Sequence, residues 1–333
     1  MTSISVLGAG SWGTAIALLL ARNGHSTVLW AHNTTHITEI EHARCNNRYL
    51  PGIELPETLR FDADLATAIR GVHIIVIAVP SHAFLNTLDN IKPHLKTHIP
   101  IAWATKGLEP SSGRLLHESV YDTLGGQTPV AVISGPTFAM EVARNLPTAI
   151  TVASPETDIA ISIAKILHNQ RFRVYTSDDV VGVQLGGAVK NVLAIATGAA
   201  DGLGFGANTR AALVTRGLAE LIRLGLSMNA KQETLMGLAG LGDIVLTCTD
   251  NQSRNRRLGL GLGQGKSISE VIDGIGQEVE GVSAAREIYQ LANKLQIEMP
   301  ITEQVYKVLY ENLAPTAAVQ NLQIREQKTE RFD

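Results

Sequence analysis

Cysteine is nearly absent from this chain of 333 residues, which has only Cys45 and Cys248. A disulfide framework and a zinc site built on clustered cysteines are thereby excluded. Two isolated thiols suit a reducing compartment, so the cytoplasm is the expected setting. A basic excess is lacking too. Lysine and arginine total 28 against 31 aspartates and glutamates, a formal net charge of −3. Nothing there supports general affinity for a nucleic-acid backbone, so no nucleic-acid partner is expected and an anionic ligand must be held by a local pocket. The N-terminal stretch starts a strand with no basic region before it, and no secretory signal is expected. Apolar runs such as residues 74–80 are too short to cross a bilayer, so no membrane span is expected. The ten histidines show no ligand spacing on one helix face, and no metal is expected.

What is present is an ordinary globular composition, 45 % hydrophobic and 18 % charged, in a chain long enough for two domains. The first half alternates short β-branched runs with longer amphipathic ones. Strands are expected over residues 4–7, 27–30, 72–79, 99–104, 130–133, 149–152 and 172–175. Helices are expected over 14–23, 63–70, 82–91, 113–124 and 156–168. The strand runs are continuously apolar, as in strands buried on both faces, and the alternation predicts a mostly parallel sheet. Residues 44–56, with two prolines and two asparagines, read as a loop. From about Asp178 the pattern becomes helical, over 179–197, 209–225, 254–263, 269–273, 283–295 and 301–310. Residues 199–207 read as the turn between the two long helices, with Asn208 or Thr209 as N-cap. The expected architecture is an α/β Rossmann-like domain over residues 1–180 followed by an all-α domain over 181–333.

The first candidate site is Gly8-Ala9-Gly10-Ser11-Trp12-Gly13, which fits G-x-G-x-x-G between a strand and a helix. Gly8 permits the tight turn, Gly10 lets backbone approach a pyrophosphate, and Gly13 lets the helix pack on the strand. Free N–H groups at the helix start then face an anion. NAD-selective sites carry a carboxylate at the end of the second strand, but here the chain reads Leu29-Trp30-Ala31-His32-Asn33. A 2′-phosphate is therefore not repelled. His32 can face it or can be a solvated surface histidine, so the cofactor is NADP or NAD.

Further motifs follow in a particular order: Thr105-Lys106-Gly107, Ser134-Gly135-Pro136-Thr137-Phe138-Ala139, Val189-Lys190-Asn191, Gly240-Leu241-Gly242-Asp243, Ser253-Arg254-Asn255 and Val279-Glu280-Gly281. With the glycine turn, they make the whole chain resemble the bacterial NAD(P)-dependent glycerol-3-phosphate dehydrogenases. His32 departs from the arginine that many members carry there. The resemblance implies interconversion of dihydroxyacetone phosphate and sn-glycerol 3-phosphate, run towards the precursor of phospholipid backbones. It implies Lys190 as proton donor and acceptor with Asn191 in support. It also places Lys106 near both cofactor and substrate, Gly135 and Thr137 against substrate, and Ala139, Ser11, Trp12, Val279 and Glu280 against cofactor. It is compatible with a homodimer, for which no surface patch can be read.

Read physically, Lys190 interrupts an apolar helical run, so it either reaches into a cleft or snorkels to the surface. An ammonium in a cleft can polarise a ketone oxygen and deliver its proton. Ser253 is a good N-cap and Arg254 a permanently charged fork, so Ser253-Arg254-Asn255 reads as a phosphate cup or as a capped surface helix. The resemblance brings Arg254 to the cofactor as well. Asp243 is an acceptor for a substrate hydroxyl or for Lys190, or a helix N-cap, and Thr247 can line the same pocket. The rival readings are a hydroxy-acid dehydrogenase, which would need a carboxylate site in place of the cup, and a non-catalytic dinucleotide sensor, which would not need Lys190 and Lys106 together.

Overall fold

The computed structural model describes residues 1–95, 98–110 and 112–326. The chain divides into two compact units, one made of Met1–Thr105 and Leu116–Val180, the other of Lys106–Leu115 and the chain from Val181 onward. Lys106 therefore goes with the helical unit, although it follows a strand of the first.

Among its described residues the first unit holds one sheet of eight strands: β1 (Ser3–Leu7), β2 (Ser26–Trp30), β3 (Arg60–Asp62), β4 (Ile74–Ile77), β5 (Ile101–Trp103), β6 (Val130–Ser134), β7 (Thr148–Ala153) and β8 (Phe172–Ser177). Their order is β3-β2-β1-β4-β5-β6-β7-β8. Only the β6–β7 pair is antiparallel. All four residues of β4 and all five of β6 are buried, which is why these strands read as unbroken apolar runs. The order reverses at β1, where open α/β sheets take ligands at the strands' carboxyl ends. Three elements differ from expectation. β3 has three residues, among them the exposed Arg60, too short and polar for a period to show. The helix Thr34–Ala43 buries only Ile37 and Ile40, so its apolar stripe is faint in the sequence. The short helix Ala139–Ala143 is likewise unforeseen.

The second unit is helical, with no strand among its described residues. Its centre is the helix Val180–Gly202. By length and composition this helix could cross a bilayer, which corrects the expectation that every apolar run is too short, but 89 % of its apolar window is buried inside the protein. It is a core helix, with Leu185, Val189 and Leu193 fully buried. The helix Arg254–Gly263 lies against it. A Cβ at Gly198 would strike the Arg256 carbonyl, and one at Gly202 the Leu260 carbonyl. Backbone therefore meets backbone, as small residues allow. The same contact corrects the expected turn. Residues 199–202 stay helical because they pack there, the turn is confined to 203–206, and Gly206 rather than Asn208 or Thr209 caps the helix Ala207–Ser227. The helices Gly281–Leu295 and Pro300–Tyr310 match expectation closely, while Gln232–Leu235, Asp243–Thr249 and Pro315–Gln323 were not foreseen.

Candidate active site

The candidate residues fall into two sets, one in each unit. In the first unit the glycine turn follows β1 and opens the helix Ser11–Arg22. Gly8 has φ +120, and a Cβ on it would come within 2.6 Å of the Ala78 carbonyl oxygen. A Cβ at Gly13 would collide with the Gly8 carbonyl. These two glycines are demanded by the fold. Gly10 is not: its φ is −75, and a Cβ there would meet nothing within 4 Å. The open space before Gly10 is what a pyrophosphate lying on the backbone requires. No side chain caps this helix start, so its N–H groups remain available to an anion. The indole Nε1 of Trp12 is buried with no hydrogen-bond partner, a donor left over at the same turn. The residues present thus fit a dinucleotide.

The turn is held from outside by a residue that sequence reasoning missed. Asn46 is fully buried and donates from Nδ2 to the Ala9 carbonyl at 2.9 Å and to Thr14 Oγ1 at 2.8 Å. The 44–56 segment therefore clamps the nucleotide turn, and an asparagine in a polar loop carries no signal that could have revealed it. His32, just past β2, is exposed, and its neighbour Asn33 caps the next helix. Gly135 has φ +146, and a Cβ there would approach Ile150 Cα to 2.9 Å, so close packing on β7 already explains that glycine. Thr137 Oγ1 donates to the Gly135 carbonyl at 3.1 Å, and Ala139 begins its short helix two residues on.

In the helical unit the second set converges on one carboxylate. Asp243 is fully buried. Lys190 Nζ donates to its Oδ1 at 2.7 Å and to Thr247 Oγ1 at 3.0 Å. Lys106 Nζ donates to its Oδ2 at 2.5 Å. The close approach has a cause in the sequence. Gly186, one turn before Lys190, lets the segment ahead of Asp243 pack on the helix, since a Cβ there would hit the Ala239 carbonyl. Asp243 then starts the helix Asp243–Thr249, while Gly242 occupies the N-cap position that Asp243 was a candidate for. Lys190 is 8 % exposed, so it does not snorkel. Two ammonium groups share one carboxylate in a dry place, leaving an excess of positive charge. Burial lowers the Lys106 amine to about 8, helped by the charge of Lys190 and opposed by Asp243.

Around this centre, Asn191 is buried and its Oδ1 accepts from Asn255 Nδ2 at 2.8 Å, while Asn255 Oδ1 accepts from the Gly281 N–H at 2.9 Å. Asn191 Nδ2 is buried without a partner, a donor beside Lys190. Ser253 caps the helix Arg254–Gly263 by accepting from the Arg256 N–H at 3.2 Å. Glu280 is raised by burial, and Arg254, Lys190 and Lys106 pull it back down, so the charges of the candidate residues reach one another. Val279 beside it is buried. A cavity of about 600 Å³ elsewhere in this unit, lined by Leu213, Arg216, Glu220 and Val305 among others, contains none of the candidate residues.

A doubly wound sheet with a glycine turn at its switch point, and a helical unit with two buried lysines on one carboxylate, define a dinucleotide-dependent oxidoreductase. The chain matches the description NAD-dependent glycerol-3-phosphate dehydrogenase N-terminus over residues 3–160 and the corresponding C-terminus over 179–320. It is 56 % identical over 330 residues to a glycerol-3-phosphate dehydrogenase [NAD(P)+] of Pseudoalteromonas translucida, covering 99 % of this chain and 98 % of that one. It is 57 % identical over 325 residues to that of Nitrosococcus oceani, covering 98 % and 94 %. The crystal structure of glycerol-3-phosphate dehydrogenase from Coxiella burnetii superposes with a TM-score of 0.95 at 53 % identity, covering 97 % and 99 %. The chain belongs to the NAD-dependent glycerol-3-phosphate dehydrogenase family.

Proposed function

We propose that this chain reduces dihydroxyacetone phosphate to sn-glycerol 3-phosphate with NADPH or NADH, and catalyses the reverse with the oxidised cofactor. The observation that carries the reading is the pair of buried lysines, Lys190 and Lys106, on Asp243. NADPH or NADH held by these residues would supply the hydride for C2. As that hydride arrives, the ketone oxygen becomes an alkoxide and needs both a counter-charge and a proton. Lys190 Nζ donates the proton and is left as an amine, with Asp243 and Thr247 still holding it in line. Lys106 keeps positive charge beside the developing oxyanion, and Asn191 offers its free Nδ2–H to a substrate oxygen. Ser253, Arg254 and Asn255 take the phosphate, Gly135 and Thr137 the rest of the substrate. Gly8, Gly10, Ser11, Trp12, Gly13, His32, Ala139, Val279 and Glu280 take the cofactor, with Lys106 and Arg254 serving both ligands. This divides the work, with nucleotide binding mainly in residues 1–180 and substrate binding mainly in 181–333. The product suits phospholipid-backbone synthesis, the two free thiols suit a cytoplasmic enzyme, and assembly as a homodimer belongs to the same reading. The direct test is oxidation of NADPH and NADH on addition of dihydroxyacetone phosphate.

Two predictions follow from the parts. Arg254→Ala lowers kcat/KM for dihydroxyacetone phosphate about a hundredfold more than for unphosphorylated dihydroxyacetone, because a charge-assisted fork on a phosphate is the stronger bond. Arg254→Lys restores it only in part, since a point charge does not reproduce the fork. Equal losses on both substrates would assign Arg254 to fold or cofactor instead. For the cofactor, no carboxylate stands at the end of β2, and His32 is exposed there. NADPH is expected to be used at least as well as NADH by kcat/KM, and His32→Asp to shift preference towards NADH by about tenfold through a ribose hydroxyl contact and phosphate repulsion. A wild-type enzyme indifferent to NADPH would refute this.

A further inference from the structure

Lys106 is carried by a segment whose described residues up to Leu115 form no helix or strand. It leads through Gly107, φ +141, a conformation that side-chain-bearing residues rarely adopt. A turn through glycine is loose unless something outside it holds it. Leu108 and Leu115 are buried in the core of the helical unit, which anchors the segment but does not orient the turn. A polar side chain from a neighbouring helix reaches it. Glu287, on the helix Gly281–Leu295, accepts the Leu108 N–H on Oε2 at 3.4 Å. The residue is 1 % exposed, and its other carboxyl oxygen, Oε1, is buried with no hydrogen-bond partner. A carboxyl group in that position is destabilising by itself, and packing alone would favour an apolar residue. The same helix begins at Gly281, whose N–H is bound by Asn255, with Glu280 immediately before it. One rigid element thus spans from the edge of the candidate phosphate cup to the turn beside Lys106.

We infer that Glu287 is a positioning residue for Lys106: by accepting the Leu108 N–H it fixes the Lys106-Gly107-Leu108 turn so that Lys106 Nζ meets Asp243. The geometry stands on this structure alone, and its consequence for turnover rests on the function proposed above. Burial, reinforced by Glu280, pushes the Glu287 carboxyl up to about 7, while the Leu108 N–H and Arg286 oppose the rise. Tyr310 is the other titratable group that senses it. Both the acid and the carboxylate retain an acceptor oxygen, so the tie does not depend on charge, and an amide can replace it.

The test uses two readouts on the full-length protein. The first is trace acylation of lysines with acetic anhydride, without substrate or cofactor, quantified by mass spectrometry with Lys165 and Lys294 as references. The second is kcat and KM for dihydroxyacetone phosphate. In Glu287→Ala the acylation of Lys106 is expected to rise about tenfold relative to the references, and kcat/KM to fall by about the same factor, the size of effect a single hydrogen bond commands. Glu287→Gln, which keeps the acceptor, stays within about twofold of wild type on both. If the alanine variant does not fold, Glu287→Leu fills the volume without an acceptor and takes its place. Unchanged Lys106 acylation in a folded variant lacking the acceptor would overturn the inference, as would a folded glutamine variant that behaves like alanine. A wild-type protein inert towards dihydroxyacetone phosphate, whose Lys106 still responds to these changes, would overturn the proposed function and support the positioning role.

Discussion

Lys190→Ala is expected to abolish turnover while leaving NADPH and NADH affinity within about threefold of wild type. Two effects combine. Loss of a general acid removes about 10²–10⁴ in rate, and loss of a preorganised charge at the developing oxyanion removes about 10²–10³ more. The two overlap, so a fall of at least about 10⁴ in kcat is the expected result. Lys190 is the group to remove because it is both buried and doubly oriented, by Asp243 at 2.7 Å and by Thr247 at 3.0 Å. A group fixed in that way does not wait on a rotamer search before it acts. Lys190 is not one of the residues assigned to the cofactor, and the glycine turn belongs to the other unit, so cofactor affinity should change little. Lys190→Arg should not rescue, because a guanidinium holds its proton at any working pH. Single-turnover kinetics, with cofactor titration by fluorescence and a thermal melt as control for folding, decide the matter. A folded variant that keeps a tenth of wild-type kcat would remove Lys190 from the chemistry.

The glycine turn and the Lys190 helix were legible in the sequence because each is a local pattern. Strand, G-x-G-x-x-G and helix stand in one register, so Gly8 and Gly13 could be assigned their tasks before any contact was known. Ser253 was legible for the same reason, since an N-cap concerns only residues within one turn, and it accepts the Arg256 N–H as expected. Lys190 stood out as the lone charge in an apolar run, and its burial follows from that run. Asp243 was different. Its partners lie 53 and 137 residues away in the chain, and no periodicity encodes a meeting at that range. The sequence therefore leaves three roles open for it, of which the structure shows the lysine acceptor. By sequence Lys106 reads as a residue of the sheet domain, because it follows β5. What draws its segment into the helical unit is the burial of Leu108 and Leu115, two leucines whose local sequence does not say which core they will join. Asn46 and Glu287 were silent altogether: each acts on a backbone group far along the chain, and a single polar residue in a loop or helix announces no such bond.

Asp243→Asn should have the second largest effect, and for a reason opposite to that of Lys190→Ala. It removes no group from the proton transfer, but it takes a shared carboxylate partner away from two buried ammonium groups. Breaking a buried ion pair on one side costs about 3–5 kcal/mol, because the remaining charge is left uncompensated. That cost need not appear as unfolding. Lys106 can relieve it by losing its proton, since burial already holds its amine at about 8 and Asp243 is the attraction that keeps it from falling further. With the carboxylate gone, the amine falls below 8 and is neutral over more of the neutral range. The sign of the pH effect follows. If protonated Lys106 supports the reaction, wild-type kcat/KM declines as pH rises past about 8, and in Asp243→Asn the same decline begins at lower pH. At pH 7.5 the variant is then expected to lose about 10²–10³ in kcat/KM, and part of that loss should be recovered on going to pH 6, where the lysine is charged again. Lys190, deprived of one of two acceptors, keeps Thr247 but loses the contact that sets its direction, so recovery at pH 6 stays incomplete. The measurement is a pH profile of kcat/KM for both proteins from pH 5.5 to 9.5, with stability followed by denaturant titration at each end. An alkaline limb that does not move would mean that Asp243 acts as a structural anchor alone, and that the two lysines do not share its charge in the working enzyme.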